Sequence, residues 1–335
     1  MTTTAREIHL KSRPKGMPER ANFQIVETPM SALRKEELRV RNLWMSVDPY
    51  MRGRMNAGSS YIDPFRLDAP LEGAAIGIVE ESECPAFAPG DLVSHFKGWR
   101  THAIVDAATT VRIDADQIAP QTYLGPLGVP GFTAYVGLTR IGQVRVGDSV
   151  FISAASGAVG SIACQIAKIK GARVAGSAGS DAKLAWLRDE LGIDAAIGYR
   201  ADDFAQTLAE ACPDGIDLYF DNVGGGQLEA ALVVANDHAR FTLCGMIARH
   251  NDVEPAPGPS NIFLAVTKRL NLRGFIITDH DDLAAEFQNL MRAWIAQGQI
   301  KWRETIFEGL ERAPDALLGL FHGANVGKML VRLEA

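Results

Sequence analysis

An α/β protein of two domains is what this sequence predicts: a compact, barrel-like β domain, then a doubly wound parallel sheet. Three observations predict it. At residues 149–170 a short apolar run, a glycine-rich turn and an amphipathic helix follow one another. Short β-prone runs punctuated by Gly and Pro occupy residues 1 to about 120. From about Tyr123 onward, strand and helix patterns alternate.

The β domain comes first. Its runs lie at 23–27, 38–44, 74–80, 91–95 and 101–105, with turn residues between them. Pro89-Gly90-Asp91 launches one strand, and Val146-Gly147-Asp148 launches the one before the glycine-rich turn. Residues 133–141 read as a helix with a glycine near its end. Residues 150–155 are apolar and β-prone, the pattern of a buried strand. Residues 161–170 place Ile162, Ile166 and Ile169 on one helical face. A strand at 173–177 follows at crossover distance, completing a βαβ unit. The helix at 181–191 has Asp181 as N-cap and Gly192 as its stop. Strands at 195–199, 216–221, 239–245 and 272–277, a helix at 282–297 and a strand at 329–333 complete the chain. Residues 252–261 form a Pro-rich loop of the kind that covers a cleft.

Composition excludes several function classes. The 335 residues carry a net charge of −6 and no basic run, so nothing points to nucleic acid. Charges interrupt every apolar window before membrane-spanning length, and the polar N-terminus lacks a secretory core. A cytoplasmic location is the expectation. Cys84, Cys164, Cys212 and Cys244 are scattered, with no C-x-x-C, which suggests neither a disulfide framework nor a zinc knuckle.

The turn Ala155-Ser156-Gly157-Ala158-Val159-Gly160 is a G-x-G-x-x-G pattern with Ala in the first place. Gly157 admits a pyrophosphate to the backbone, and Gly160 lets the helix sit close to the strand. The helix N-terminus then offers its N–H groups to the anion. An ordinary strand-to-helix turn is the competing reading of these six residues; the following strand favours the nucleotide one. The strand ends at Ala155, Ser177, Asn222 and Gly245 are small or polar. In an open parallel sheet they belong to one pocket beyond the carboxyl ends.

A site for NAD places an acid at the end of the second strand, where it bonds the ribose 2′-hydroxyl. Here that end reads Gly176-Ser177-Ala178-Gly179-Ser180, without an acid, which admits a 2′-phosphate. Lys183 supplies a positive charge nearby; alone it reads better as a solvated first-turn lysine. Together with the missing acid it favours NADP(H).

The chain resembles the zinc-independent medium-chain dehydrogenase/reductase superfamily, and within it the prostaglandin reductase, leukotriene B4 dehydrogenase and 2-alkenal reductase group. The resemblance rests on Ser46-Val47-Asp48-Pro49-Tyr50-Met51-Arg52-Gly53, Glu72-Gly73, Pro89-Gly90-Asp91 and Gly131-Phe132-Thr133-Ala134-Tyr135. It continues through the glycine turn, Gly179-Ser180-Asp181 with Lys183, and Asp221-Asn222-Val223-Gly224-Gly225. Cys244-Gly245-Met246-Ile247 and Asn325-Val326-Gly327-Lys328 complete it.

The resemblance implies a GroES-like β-barrel catalytic domain, residues 1–122 with 308–335, and a Rossmann NADP-binding domain, residues 123–307. It implies that Gly157, Ala158, Val159 and Gly160 hold the pyrophosphate, and that Lys183 and Tyr199 meet the 2′-phosphate region. Asn222, Cys244, Gly245, Met246, Ile247 and His250 would line the cofactor channel. Phe275, Ile276 and Ile277 would flank the nicotinamide, Thr133 would stand on its side, and Asn325 would reach the cofactor from the tail. Where the family has Tyr-Asn, this chain has His250-Asn251, so His250 takes the tyrosine's role or is a polar loop residue.

No metal is implied. Leu71-Glu72-Gly73 lacks the histidine that zinc-dependent relatives place before the glutamate, and no cysteine cluster exists. The implied reaction is NADPH-dependent reduction of an enal or enone, with hydride delivered to the β-carbon. Tyr50 would donate to the developing enolate oxygen, its alternative being a packing role. A quinone reductase of the same superfamily and a non-catalytic NADPH-binding protein are the rival readings. The superfamily implies a homodimer.

Overall fold

The computed structural model describes residues 4–115, 118–200, 203–254 and 257–333. Within it the chain forms two units: residues 1–125, 304–325 and 329–335 in the first, 126–303 and 326–328 in the second.

The first unit begins with β1 (Thr4–Leu10) paired antiparallel to β2 (Phe23–Pro29). The sequence pattern hides β1, because Glu7 and His9 are buried as a pair, His9 Nε2 lying 2.8 Å from Glu7 Oε2. Then follow β3 (Glu37–Ser46), helix α1 (Tyr50–Arg54), β4 (Ala75–Ser82), β5 (Leu92–His95), β6 (His102–Asp106) and β7 (Val111–Arg112). Alternation along β3 buries Leu38, Val40, Asn42 and Trp44. β3 pairs with β4 on one side and with β6 in a second antiparallel ladder.

The second unit opens with α2 (Val129–Val136), which starts earlier than the pattern 133–141 predicts. Pro130 causes the difference: it sits in the first turn, where a missing N–H costs nothing. A π-helical turn, Gly137–Ile141, continues it. Then come β8 (Ser149–Ile152), α3 (Ala158–Ile169), β9 (Arg173–Ala178), α4 (Asp181–Asp189), β10 (Ala195–Gly198), α5 (Phe204–Ala211) and β11 (Ile216–Asp221). After them lie α6 (Gly225–Val234), β12 (Ala235–Leu243), α7 (Leu264–Thr267), β13 (Asn271–Gly274) and α8 (Ala284–Ala296).

The six strands of this unit are all parallel, in the order β10-β9-β8-β11-β12-β13. The doubly wound sheet expected from the sequence is therefore present. Strand order reverses between β8 and β11, which places the ligand crevice beyond their carboxyl ends. Phe151 stacks on Tyr219 at 5.0 Å and Phe241 meets Tyr219 edge-on at 5.3 Å, so the sheet's centre is aromatic.

Several boundaries differ from the sequence expectation; the strand expected at 150–155 ends at Ile152, and the helix expected from 161 starts at Ala158. Strand 239–245 ends at Leu243, because Cys244 and Gly245 turn their N–H groups onto Asp221 O at 2.9 and 3.0 Å. Strand 272–277 therefore stops at Gly274, the partner of Leu243, and leaves Phe275, Ile276 and Ile277 beyond the ladder. Ser180, and not Asp181, has the extended N-cap backbone of α4; Asp181 is its first helical residue, where its charge favours the dipole. The Pro-rich stretch 252–261 is described except at residues 255 and 256, which lie outside the described residues.

The chain ends with β14 (Glu304–Glu308), α9 (Ala313–Phe321) and β15 (Lys328–Arg332). β15 pairs with β3, and β14 lies at the outer edge beside it. Leu310, Leu317, Met329 and Val331 join Ile8, Met45 and Trp99 in one core. Each such side chain contributes roughly 1.5–3 kcal/mol by leaving water.

A polar knot also holds the first unit. His95 Nδ1 accepts from Lys97 N–H at 3.1 Å, so its Nε2–H donates to Asn42 Oδ1 at 2.9 Å. Asn42 Nδ2 donates in turn to Arg100 O and Lys97 O. Burial first, then the Arg100 and Lys97 charges, push the imidazole down to about 3. Between about pH 6.5 and 3 the unfolded chain therefore holds a proton that the folded one does not. Stability is expected to fall as pH drops through that window, by an amount on the order of a few kcal/mol. Urea denaturation of His95→Gln between pH 7 and 4 should show a shallower loss than the parent.

Candidate functional site

The carboxyl ends of the second unit's strands carry the site, starting with the glycine turn. Ala154 adopts a left-handed backbone, φ 47°, and its carbonyl accepts the Gly157 N–H at 2.9 Å. A Cβ at Gly160 would stand 2.3 Å from Ala154 O, so only glycine lets α3 begin there. At Gly157 a Cβ would stand 3.2 Å from the same Ala154 O, a tighter approach than ordinary contact, so this position also favours glycine. No side chain caps α3, which leaves Ala158, Val159 and Gly160 at an uncapped helix start. From the tail, Gly327 N–H donates to Ser156 O at 2.8 Å and bridges Gly157.

Beside the turn, at the switch point, lies a cluster the sequence reading did not single out. Asp221 is fully buried, and its Oδ1 accepts from Val223 N, Gly224 N, Tyr219 Oη and Ser153 Oγ at 2.9, 2.8, 2.7 and 3.2 Å. Its Oδ2 has no partner among the described residues. Burial raises the Asp221 pKa against those four bonds, which lower it. Asn222 is pinned by both ends: its N–H reaches Ser153 Oγ and its Nδ2 donates to Ser153 O, each at 2.8 Å. Ser177 Oγ donates to Gln227 Oε1 at 2.6 Å, and Ala155 N–H bonds Ser177 O at 2.8 Å. The four strand ends, at Ala155, Ser177, Asn222 and Gly245, thus meet along one edge of the sheet.

Two cavities open on that edge. One of about 500 Å³ is lined by Leu243, Cys244, Gly245, Met246, Gly274, Phe275, Ile276 and Asp279. It brings together two segments the sequence predicts for the cofactor. Burial, then the charge of Asp221, push the Cys244 thiol up to about 12, so it is neutral and not a nucleophile. Met246 packs its side chain over Gly224, Ile247 opens the next 3₁₀ turn, and half-buried His250 closes it with its N–H on Ile247 O at 3.3 Å. Ile277 begins another 3₁₀ segment after Ile276. Thr133 turns its hydroxyl onto Val129 O of its own helix at 2.7 Å.

The second cavity, about 340 Å³, lies at the ends of β9 and β10 and is lined by Ala178, Gly179, Ser180, Asp181, Leu184, Gly198, Arg200 and Thr207. Lys183 is half-buried at its side, and its pKa is lowered by burial and by the Arg200 charge. The Arg200 guanidinium lies 5.6 Å from the Tyr199 ring centroid. Tyr199 in turn explains Gly179, where a Cβ would come within 2.9 Å of the ring. No acid ends β9, and the donors here are cationic, so these residues fit a 2′-phosphate. Arg200 carried no sequence signal beyond its place after Tyr199.

Two predicted residues belong to the first unit. Asn325 is its last residue before the chain passes to Val326 of the second. Tyr50 starts α1, and its buried Oη has no hydrogen-bond partner among the described residues. Burial raises the phenol's pKa, with Asp48 adding to it, so the group is a neutral donor. Among the described residues no three His, Cys, Asp or Glu side chains come together as a metal site, and no helix is long and apolar enough to cross a membrane.

Comparison with known proteins gives two family matches: the N-terminal domain of oxidoreductase at residues 6–113, and the zinc-binding dehydrogenase at 158–296. The NADPH-dependent curcumin reductase of Escherichia coli is 40% identical, over 97% of this chain and 95% of its own. The NADP(+)-dependent 2-alkenal reductase of Nicotiana tabacum is 38% identical, over 98% and 97%. Among solved structures, CurA of Vibrio vulnificus in complex with NADPH superposes with a TM-score of 0.93 at 40% identity, over 98% of this chain and 99% of that one.

Removing the Asp221 carboxylate leaves two backbone N–H groups and two hydroxyls without their acceptor. Asp221→Ala is expected to lower stability by at least about 2 kcal/mol in urea denaturation and to weaken NADPH binding measured by fluorescence titration.

Proposed function

The chain belongs to the medium-chain dehydrogenase/reductase family and is an NADP-dependent oxidoreductase, and from that premise we propose that it reduces the activated C=C bond of α,β-unsaturated aldehydes and ketones. The observation that carries this reading is Tyr50: a neutral phenol whose buried hydroxyl has no partner among the described residues, in a chain whose similar relatives include a curcumin reductase and a 2-alkenal reductase.

When bound, NADP(H) supplies the hydride. Gly157 and the start of α3 would hold its pyrophosphate, Lys183 and Tyr199 its 2′-phosphate, and Asn222 with the 244–250 segment would line its channel. Phe275, Ile276 and Ile277 would flank the nicotinamide, Thr133 would stand on its side and Asn325 would reach it from the tail. Hydride addition at the β-carbon of the enone would shift the C=C pair to the bond between the α-carbon and the carbonyl carbon, and the C=O pair onto oxygen, leaving an enolate. The Tyr50 hydroxyl donates a hydrogen bond to that oxygen as charge develops there. A proton from solvent completes the α-carbon. His250, half-buried at the end of its turn, takes the place the family gives to tyrosine and orders the substrate.

The reading is metal-free, because Leu71-Glu72-Gly73 lacks the histidine that zinc-dependent relatives place before the glutamate. It includes a cytoplasmic homodimer.

Tyr50→Phe is expected to lower kcat for an enone by about 100-fold while the NADPH Kd is unchanged. Full turnover by that variant removes Tyr50 from the role. NADPH consumption should be fast with enals and enones and slow with quinones, with NADH as the control; the reverse order favours a quinone reductase.

A further inference from the structure

We infer that Arg54 is a positioning residue for Tyr50: its buried guanidinium, four residues along α1, is a fixed cation beside the phenol and strengthens it as the donor to a developing oxyanion. The inference rests on the proposed use of Tyr50 in enone reduction.

Tyr50 is the first residue of α1 and Arg54 the last. A spacing of four sets both side chains on one helical face. Helical side chains lean toward the N-terminus, which carries Arg54 back over Tyr50. Arg52, between them, is used elsewhere: its Nε and Nη2 donate to Gly16 O at 3.2 and 2.8 Å, and its Nη1 to Asn56 Oδ1 at 2.8 Å. Tyr50 packs against the core to which Phe65 belongs, and the Arg54 Cζ lies 4.1 Å from the Phe65 ring centroid.

Only 5% of the Arg54 side chain is exposed. Its Nε donates to Asp63 O at 2.8 Å and its Nη2 to Glu72 Oε2 at 3.0 Å, while the buried Nη1 has no partner among the described residues. Those two bonds tie the 63 and 72 segments to α1, a task that neutral donors would also perform. The counter-ion Glu72 is 42% exposed, so solvent screens the carboxylate more than the guanidinium, whose field persists on its buried side. A buried cation with one arm unpaired costs stability. On the same helical face the other buried polar atom without a partner is Tyr50 Oη. Burial first, then Asp48, disfavour the ionised phenol; Arg54 favours it, against Tyr61 and Glu72. A cation that favours negative charge on the phenol oxygen makes its O–H a stronger donor to an enolate, while the proton stays on Tyr50.

The test reads the phenol directly. A fluorinated tyrosine placed at position 50 of the full chain brings its titration into the range of fluorine NMR. Arg54→Gln keeps donors for Asp63 O and Glu72 but loses the charge; it should raise the titration midpoint by about one pH unit, and Arg54→Lys should return most of that rise. In the unlabelled enzyme Arg54→Gln should lower kcat for an enone by about 3- to 10-fold, because a hydrogen bond feels part of the change in acidity. The enone KM and the NADPH Kd should stay within about two-fold. In a Tyr50→Phe background the same change should cost less than about two-fold, since the group it acts through is gone. An unmoved midpoint, no rescue by Arg54→Lys, or an equal loss of kcat in both backgrounds would each overturn the proposal. Should Arg54→Gln not fold, Glu72→Gln serves instead: removing that carboxylate should lower the midpoint, and a midpoint that stays or rises overturns it. A chain whose midpoint moves as stated but that reduces no enone sinks the enone reading and leaves the coupling of Arg54 to Tyr50 standing.

Discussion

The close approach of α3 to the end of β8 is the constraint on which the nucleotide edge depends. Gly160 removes the one Cβ that would collide with Ala154 O, and Ala154 accepts a left-handed backbone to make the turn. That conformation costs an L-residue roughly 1–2 kcal/mol. It is offset locally, because the Ala154 carbonyl captures the Gly157 N–H and the Ala155 N–H reaches β9. The helix can then start without a side-chain cap, its N–H groups left for an anion. Gly327, at φ 69° and with Arg303 O where a Cβ would go, lets the tail brace the same turn.

Each unit ties buried polar groups into a cluster of hydrogen bonds. At the switch point of the second unit, Asp221 Oδ1 gathers four hydrogen bonds and so fixes Ser153, Asn222 and the 222–224 turn. Such a cluster is rigid because any departure leaves several donors unsatisfied at once. Its work is to hold backbone in place, beside the Cys244 thiol, which burial and the Asp221 charge push up to about 12. In the first unit, the His95–Asn42 knot is equally satisfied, while the Tyr50 hydroxyl has no partner among the described residues, as Asp221 Oδ2 has none in the second. A buried donor with nothing to bond costs stability, and a substrate oxygen would repay it.

Charge at the β9–β10 pocket is of both signs. Among the described residues that line it, Arg200 brings a cation and Asp181 a carboxylate, with half-buried Lys183 near the Arg200 charge. The helix N-terminus of α4 adds its dipole there without adding a side chain.

Much of this was legible in the sequence, and the reason is local. The parallel sheet shows as alternation of apolar runs with amphipathic helices, the turn 155–160 as small residues where backbone must pass close, and the absence of an acid after β9 as a missing letter. Ser46 to Gly53 placed Tyr50 in a recognisable motif. What the sequence could not display depends on neighbours far along the chain. The polar strand β1 is buried only because Glu7 and His9 find each other, and α6 begins inside a glycine run that reads as a turn. β12 ends at Leu243 because Asp221 O draws in the next two N–H groups. Arg200 gains meaning only when β10 sets it beside α4. Residue type and spacing determine which segments fold and which chemistry they carry; which side chains share a pocket, and which buried donor stays unpaired, is decided by packing between segments that the linear pattern does not connect.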